Sequence, residues 1–139
     1  MNGVIAVRSL LVADTGVTAL VPNARIAAGM LPQGTDLPAI SLMSVSSVDR
    51  NISAPGPKRR VTARVQVTVL ARTYPETKAI LAAVRVAAAD RMPAINGLAD
   101  VTVHTDSAGP DFLDEETGIH MQTQDFRVSF NEARIASAS

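Results

Sequence analysis

The sequence predicts an α+β fold: a mostly antiparallel β-sheet with two α-helices packed on one face. Three observations lead there. Val61, Ala63, Val65, Val67, Val69 and Ala71 occupy one parity of a stretch whose other parity holds Thr62, Arg64, Gln66, Thr68 and Arg72, with Leu70 the exception. Such alternation marks a half-buried antiparallel strand. Two other stretches, at the N-terminus and after Thr73, repeat apolar residues at helical spacing. The resulting order is helix, three strands, helix, two strands, which reads as α+β because the helices stand apart from one another and do not alternate with every strand. The chain of 139 residues is long enough for one domain, 1–139, with a single core.

Taken in order, Asn2 to Ala13 is the first helix, with Asn2 as N-cap and Val4, Val7, Leu10 and Leu11 on one side. Asp14-Thr15-Gly16 ends it. Thr15 or Asp14 caps a short second turn through Val17, Leu20 and Val21, which Pro22 stops. Arg25 to Ala28 is a short strand. The turn-forming run Leu31 to Pro38 leads into a strand from Ala39 to Val48. Asp49 to Arg60 holds Pro55, Gly56 and Pro57 and is expected to be a long loop ending in the basic Lys58-Arg59-Arg60.

The strand Val61–Arg72 runs directly into the main helix. Thr73 and Glu76 have capping-box spacing; alternatively Tyr74 is the N-cap with Pro75 at the first helical position. Ile80, Val84, Ala87, Ala88 and Met92 form its buried stripe, and Pro93 closes it. Leu98 to Thr105 is a strand with Val101 and Val103 inward. Asp106 to Gly118 is a second long loop, acidic in its later half at Asp111, Asp114, Glu115 and Glu116. Ile119 to Asn131 is the last strand. Its apolar parity moves from odd (Ile119, Met121) to even (Phe126, Val128, Phe130), which predicts a bulge between Gln122 and Asp125. Ala133 to Ser139 is expected to fray.

Composition narrows the function. Basic and acidic residues both number 13, so there is no charge excess to hold DNA by counterion release and little long-range repulsion against self-association. Without cysteine, disulfides and thiolate metal sites are excluded. No stretch approaches the roughly 18–20 apolar residues of a membrane span. Met1 to Leu20 has no continuous apolar core of signal-peptide type, so a soluble protein made in the cytoplasm is expected. His104 and His120 fall short of the three or four ligands of a zinc site and read as surface or strand-edge residues. The acidic run lacks the spacing of a calcium loop, and neither a nucleophile elbow nor a phosphate loop is present. The expectation is a protein with no enzymatic activity, cofactor or metal.

The basic and acidic segments carry opposite sign on a small body. In a head-to-tail ring, one could meet the other on the next subunit. The candidate contact residues are therefore Arg50, Lys58, Arg59 and Arg60 on one side and Asp111, Phe112, Asp114, Glu115 and Glu116 on the other. Phe112 is an aromatic in a polar stretch, suited either to anchor an interface or to fold back on the core.

Four pieces then resemble the small phage tail-completion proteins, the tail-terminator-like group that includes head–tail joining proteins. The first is the N-terminal helix followed by Asp14-Thr15-Gly16-Val17-Thr18-Ala19-Leu20-Val21. The second is Arg25-Ile26 with Leu31-Pro32-Gln33-Gly34 and Leu37-Pro38-Ala39-Ile40. The third is Val65-Gln66-Val67 through Ala71-Arg72-Thr73-Tyr74-Pro75-Glu76. The fourth is Asp114-Glu115-Glu116-Thr117-Gly118-Ile119-His120 with Gln124-Asp125-Phe126-Arg127-Val128. The chain departs from that group in its longer Asp49–Arg60 segment and its aromatic-poor Ala39–Val48 strand. The resemblance implies a subunit of a ring, usually a hexamer, that caps the tail tube protein, stops its polymerisation and meets the head connector or adaptor. DNA would pass through the lumen only in transit. A tube or connector subunit is the nearest alternative, and a small cytoplasmic α+β binding domain the more distant one. A defined ring mass separates the structural readings from a monomeric binder.

Overall fold

The computed structural model describes residues 2–32, 34–50 and 57–133. A six-stranded sheet carries the fold. Its strands are β1 (Ile26–Ala28), β2 (Ala39–Arg50), β3 (Lys58–Ala71), β4 (Ala99–Ala108), β5 (Phe112–Asp114) and β6 (Ile119–Ala133). In space they run β1-β2-β3-β6-β4, and β5 lies on the same edge of β6 as β4. Only β1–β2 is parallel; every other pair is antiparallel. Two full helices, α1 (Asn2–Ala13) and α3 (Tyr74–Ala88), pack on one face, with the single turn α2 (Thr15–Thr18) beside them. This is the expected α+β arrangement.

The core follows from the alternation in β3. Its odd residues point under the helices and are paired with the even residues of β6: Val61 with Phe130, Ala63 with Val128, Val65 with Phe126. Branched side chains suit this pleated, half-buried surface. Phe126 is the largest fully buried side chain, and Val7, Leu11, Ile40, Leu42, Ile80 and Val84 close around the same cluster. α1 reaches the sheet at Gly3. A Cβ there would stand 3.0 Å from Ala63 Cβ and 3.1 Å from Val65 Cγ2, so the missing side chain is what lets the helix come so near.

Local chemistry sets the element ends. Asp14 Oδ1 accepts from the amides of Gly16 (2.8 Å) and Val17 (3.1 Å) and caps α2. Of the two expected starts for α3, Thr73 is the N-cap: its hydroxyl accepts from Glu76 N, and Pro75 sits in the first turn, where no amide is needed. Glu76 reaches back to the amide of Arg72.

Several boundaries differ from expectation, each for a physical reason. Asn2 lies inside α1, and its side chain donates to Glu132 on β6, 3.2 Å away. Arg25 belongs to a 3-10 turn, Asn23–Arg25, and the short strand begins at Ile26. α3 ends at Ala88, four residues before Met92, which is 74% exposed. The chain turns at Asp90 (φ 58°), and Arg91 then exchanges two backbone hydrogen bonds with Val103 on β4, at 3.1 and 2.8 Å. Pairing with the sheet edge replaces the last helical turn.

The long loop expected over 49–60 is shorter. β2 and β3 stay laddered out to the Arg50–Arg60 pair, so Asp49, Arg50 and Lys58–Arg60 are strand residues. The rest of that segment, 51–56, lies outside the described residues, as does the tail 134–139. The second expected loop, 106–118, is partly strand: β4 continues to Ala108 and β5 forms a hairpin with β6. The bulge expected in β6 is absent, since its ladder with β3 is uninterrupted from His120 to Ala133. Gln122 and Gln124 continue the inward parity as amides, which hid the pattern. The extra residues lie in other strands instead: one in β2, at Val45 between the Ser44–Val65 and Ser46–Arg64 pairs, and two in β4, between the Ala99–Asn131 and Thr102–Ser129 pairs and between the Thr105–Phe126 and Ala108–Gln124 pairs.

Two substitutions test this packing by urea denaturation. Phe126→Ala should lower stability by about 3–5 kcal/mol through the lost burial and the cavity left behind. Gly3→Val should cost about 1–3 kcal/mol by overpacking α1 against Ala63 and Val65. A stability change within 0.5 kcal/mol, roughly that of a surface substitution, would contradict either contact.

Candidate functional site

The sheet face away from the helices carries the charge. Directly paired residues share a face, so the ladder fixes which side chains stand together. Arg50 stands beside Arg60 and Asn131. On the next rung are Val48, Thr62, Ser129 and Thr102. On the one after are Ser46, Arg64, Arg127 and His104. Two basic rungs thus flank a rung of hydroxyls, where the Thr62 and Ser129 oxygens lie 3.1 Å apart. Ser46, Arg50, Arg64, Asp106, Arg127 and neighbouring residues line an open groove of 480 Å³.

Like charges placed directly opposite destabilise a sheet unless something compensates. For Arg64 and Arg127 the compensation is Asp106, whose Oδ2 is 3.7 Å from a nitrogen of each. Arg64 Nε also donates to Asp125 Oδ2 at 2.7 Å, and this bond and charge raise the Arg64 pKa. Asp125 is 3% exposed, and its Oδ1 has no hydrogen-bond partner among the described residues. Arg60 donates to Asp100 O at 2.9 Å. Arg59 points to the opposite face and pairs with Asp49 at 3.6 Å. Among the described residues, no carboxylate lies within ion-pair distance of Arg50 or Lys58.

The acidic segment is the turn between β5 and β6. Asp114 shapes it: Oδ1 accepts from Glu116 N at 3.1 Å and its carbonyl accepts from Gly118 N at 2.7 Å. Gly118 has φ 72°, a left-handed conformation that glycine adopts without cost. Glu115 and Glu116 are exposed, with no cation in ion-pair distance among the described residues. The ladder sets Lys58 opposite Ala133 and Ala71 opposite His120, so basic and acidic groups stand at opposite ends of the sheet. The structure does not bring the two sets together within one chain.

With that arrangement established, the chain matches the family described as Tail completion protein gp17 over residues 5–130. This chain belongs to the tail completion protein gp17 family. It is a structural protein of a phage-type tail and a component of the virion. A chain in the solved virion of a native gene transfer agent particle has the same fold, with a TM-score of 0.71 at 19% identity, over 91% of this chain and 92% of the other. No curated protein matches this sequence.

The structure places two expected contact residues of this tail completion protein in specific surroundings: Asp111 is engaged within its own chain, and Phe112 takes the exposed one of its two expected positions. Asp111 is bonded within the chain: Lys78 Nζ reaches its Oδ1 at 2.6 Å and Tyr74 donates to its Oδ2 at 2.9 Å. The Lys78 and Tyr74 hydrogen bonds hold its carboxyl below the usual range. Lys78 also donates to Gln122 at 2.6 Å, Gln122 to Gly109 O, and Arg85 to Gln124, so α3 is clamped to β6 and to the β4–β5 connection. Phe112 does not fold into the core. It is 57% exposed on β5, paired with Met121, which is paired with Leu70. These three make an apolar row on the outer face, beside a 270 Å³ hollow also lined by Thr68 and Pro110.

Arg64 and Arg127 were missed as site residues, because each reads as an ordinary polar-parity residue in its own strand. Only the register that sets them opposite one another reveals the cluster. The histidines stand apart: His104 Nδ1 is 2.8 Å from Asp90, and His120 lies edge-on to Tyr74. Among the described residues no three metal-ligating side chains gather, and no helix is long and apolar enough to cross a membrane.

The Asp111 clamp gives a pH dependence of definite sign. Because its folded pKa lies below 3.8, it stabilises the fold fully above that value and the contribution fades as pH falls through the folded pKa. Amide protection at Phe112–Asp114 should hold from pH 5 to pH 8 and drop below about pH 3.8. Asp111→Asn should lower it between pH 5 and pH 8 and converge with the parent in acid; equal protection in the variant at pH 5–8 would contradict the clamp.

Proposed function

We propose that this protein is the tail terminator, or tail-completion subunit, of its particle. It forms a ring, a hexamer, that caps the finished tube of tail tube protein, stops its growth and offers a surface to the head connector or adaptor at the head–tail junction. DNA passes through the lumen in transit. The role is structural, with no catalytic step.

The observation that carries this reading is the separation of charge. The candidate contacts Arg50, Lys58, Arg59 and Arg60 stand at one end of a long sheet, and Asp114, Glu115 and Glu116 at the other. A head-to-tail contact joins these unlike ends from one subunit to the next and can close a ring by rotation. The exposed Phe112 beside the acidic turn supplies an apolar anchor for the same contact, while Asp111 supports that turn from within its own chain. The neighbour's presence in a virion particle and the family match both support an assembled structural role.

Light scattering after size exclusion tests the reading, over a range of concentrations and with purified tail tubes added. A discrete hexamer, alone or on tube ends, is the expected outcome. Replacing Lys58, Arg59 and Arg60 together by glutamate should shift the distribution toward monomer, at least about tenfold in the dissociation constant. A protein that stays monomeric even with tubes present would remove the ring.

A further inference from the structure

We infer that the groove on the helix-free sheet face is the receptor for the acidic β5–β6 turn of a second copy of this chain. The inference rests on the ring reading and adds to it a specific seat, built chiefly from Arg50, Arg64 and Arg127 and not from the Lys58-Arg59-Arg60 run alone.

The groove is suited to carboxylates. Its lining brings three guanidiniums from three strands to one space, and the lining holds a single carboxylate, Asp106. Arg50 has no carboxylate within ion-pair distance among the described residues, and Arg127 only the 3.7 Å contact that Asp106 shares with Arg64. The Thr62 and Ser129 hydroxyls lie on the floor between the basic rungs and offer further donors. Guanidinium presents its donors in a planar fork that fits a carboxylate at two points. A volume of 480 Å³ falls within the range of roughly 300–1,000 Å³ typical of ligand clefts, enough for a short turn and its side chains.

The turn is suited to the groove. Asp114 spends its own carboxylate on the Glu116 amide and so stiffens the projection, leaving the exposed Glu115 and Glu116 to enter the groove. A rigid projection loses less freedom on docking than a floppy one. The turn cannot fill the groove of its own chain. Ser129 and Ile119 are ten residues apart on one strand, roughly 33 Å at about 3.3 Å per residue. The occupant must therefore come from another subunit, and in the proposed ring that contact runs head-to-tail.

Charge exchange tests the seat. One variant carries Arg50→Glu with Arg127→Glu, a second carries Glu115→Lys with Glu116→Lys, and a third carries all four. Arg64 is left in place because it balances the buried Asp125. All four positions are exposed, and circular dichroism checks that each variant folds. The parent should form its oligomer, and each two-site variant should lose it by at least about tenfold in dissociation constant. Mixing the two variants should restore assembly, because each groove then meets a turn of opposite sign in an alternating ring. The four-site variant should assemble alone. Raising salt should weaken the parent contact.

The proposal is overturned if both folded two-site variants retain the parent oligomer. It is equally overturned if they dissociate but neither mixing nor the four-site variant restores assembly. In both cases a parent ring still stands, so the ring reading survives. A parent that remains monomeric with tail tubes present defeats the ring reading and this seat with it.

Discussion

The antiparallel ladder between β3 and β6 engages all fourteen residues of β3 without a break, and the other elements take their positions from it. Its inner side supplies Val65 against Phe126 at the centre of the core. Its outer side sets Arg64 against Arg127. Because side chains alternate with period two, these two outcomes are the same fact seen from opposite faces. A one-residue slip would bury arginines and expose valines, so burial holds the register and the register in turn holds the charge pattern.

Above the ladder the two helices are held by different physics. α1 lies on hydrocarbon and approaches closely at Gly3, where contact distance is limited by Ala63 and Val65. α3 covers Gln122 and Gln124 on the inward parity of β6, where apolar residues would ordinarily be expected. Buried amides demand partners, and Lys78, Arg85, Ser107 O and Gly109 O provide them. Such bonds are directional. They fix where the β4–β5 connection lies, and so where Phe112 and the acidic turn emerge.

Much of this was legible in the sequence wherever periodicity was strong. The Val61–Ala71 alternation, the Thr73 cap and the inward Val101 and Val103 all follow from local rules, and so does the α+β class. Misreadings arose where polar residues occupied positions whose neighbours were distant in sequence. Leu70 broke the parity of β3, and Ile119 and Met121 reversed that of β6. Leu70 and Met121 are adjacent across the ladder and join Phe112 in an apolar row on the outer face, a grouping that no single strand displays. Prolines and glycine at 55–57 overstated the loop, because they say nothing of how far the flanking residues stay paired. Of the candidate site, Arg50, Lys58 and the carboxylates of the turn could be named from charge alone. Arg64 and Arg127 could not, since their meeting depends on pairing across β3 and β6.

Val45 has a consequence for how such a protein can change over time. The extra residue turns the outer half of β2 over, and residues 46–50 are exposed and contribute no apolar residue to the core, while Ile40 and Leu42 lie wholly inside it. One strand is thereby divided into a part that answers to folding and a part free to answer to a neighbour. Substitutions in the outer half meet little resistance from stability, so surface chemistry there can drift with a partner while the fold stays constant. A single inserted residue thus makes one strand evolve as two.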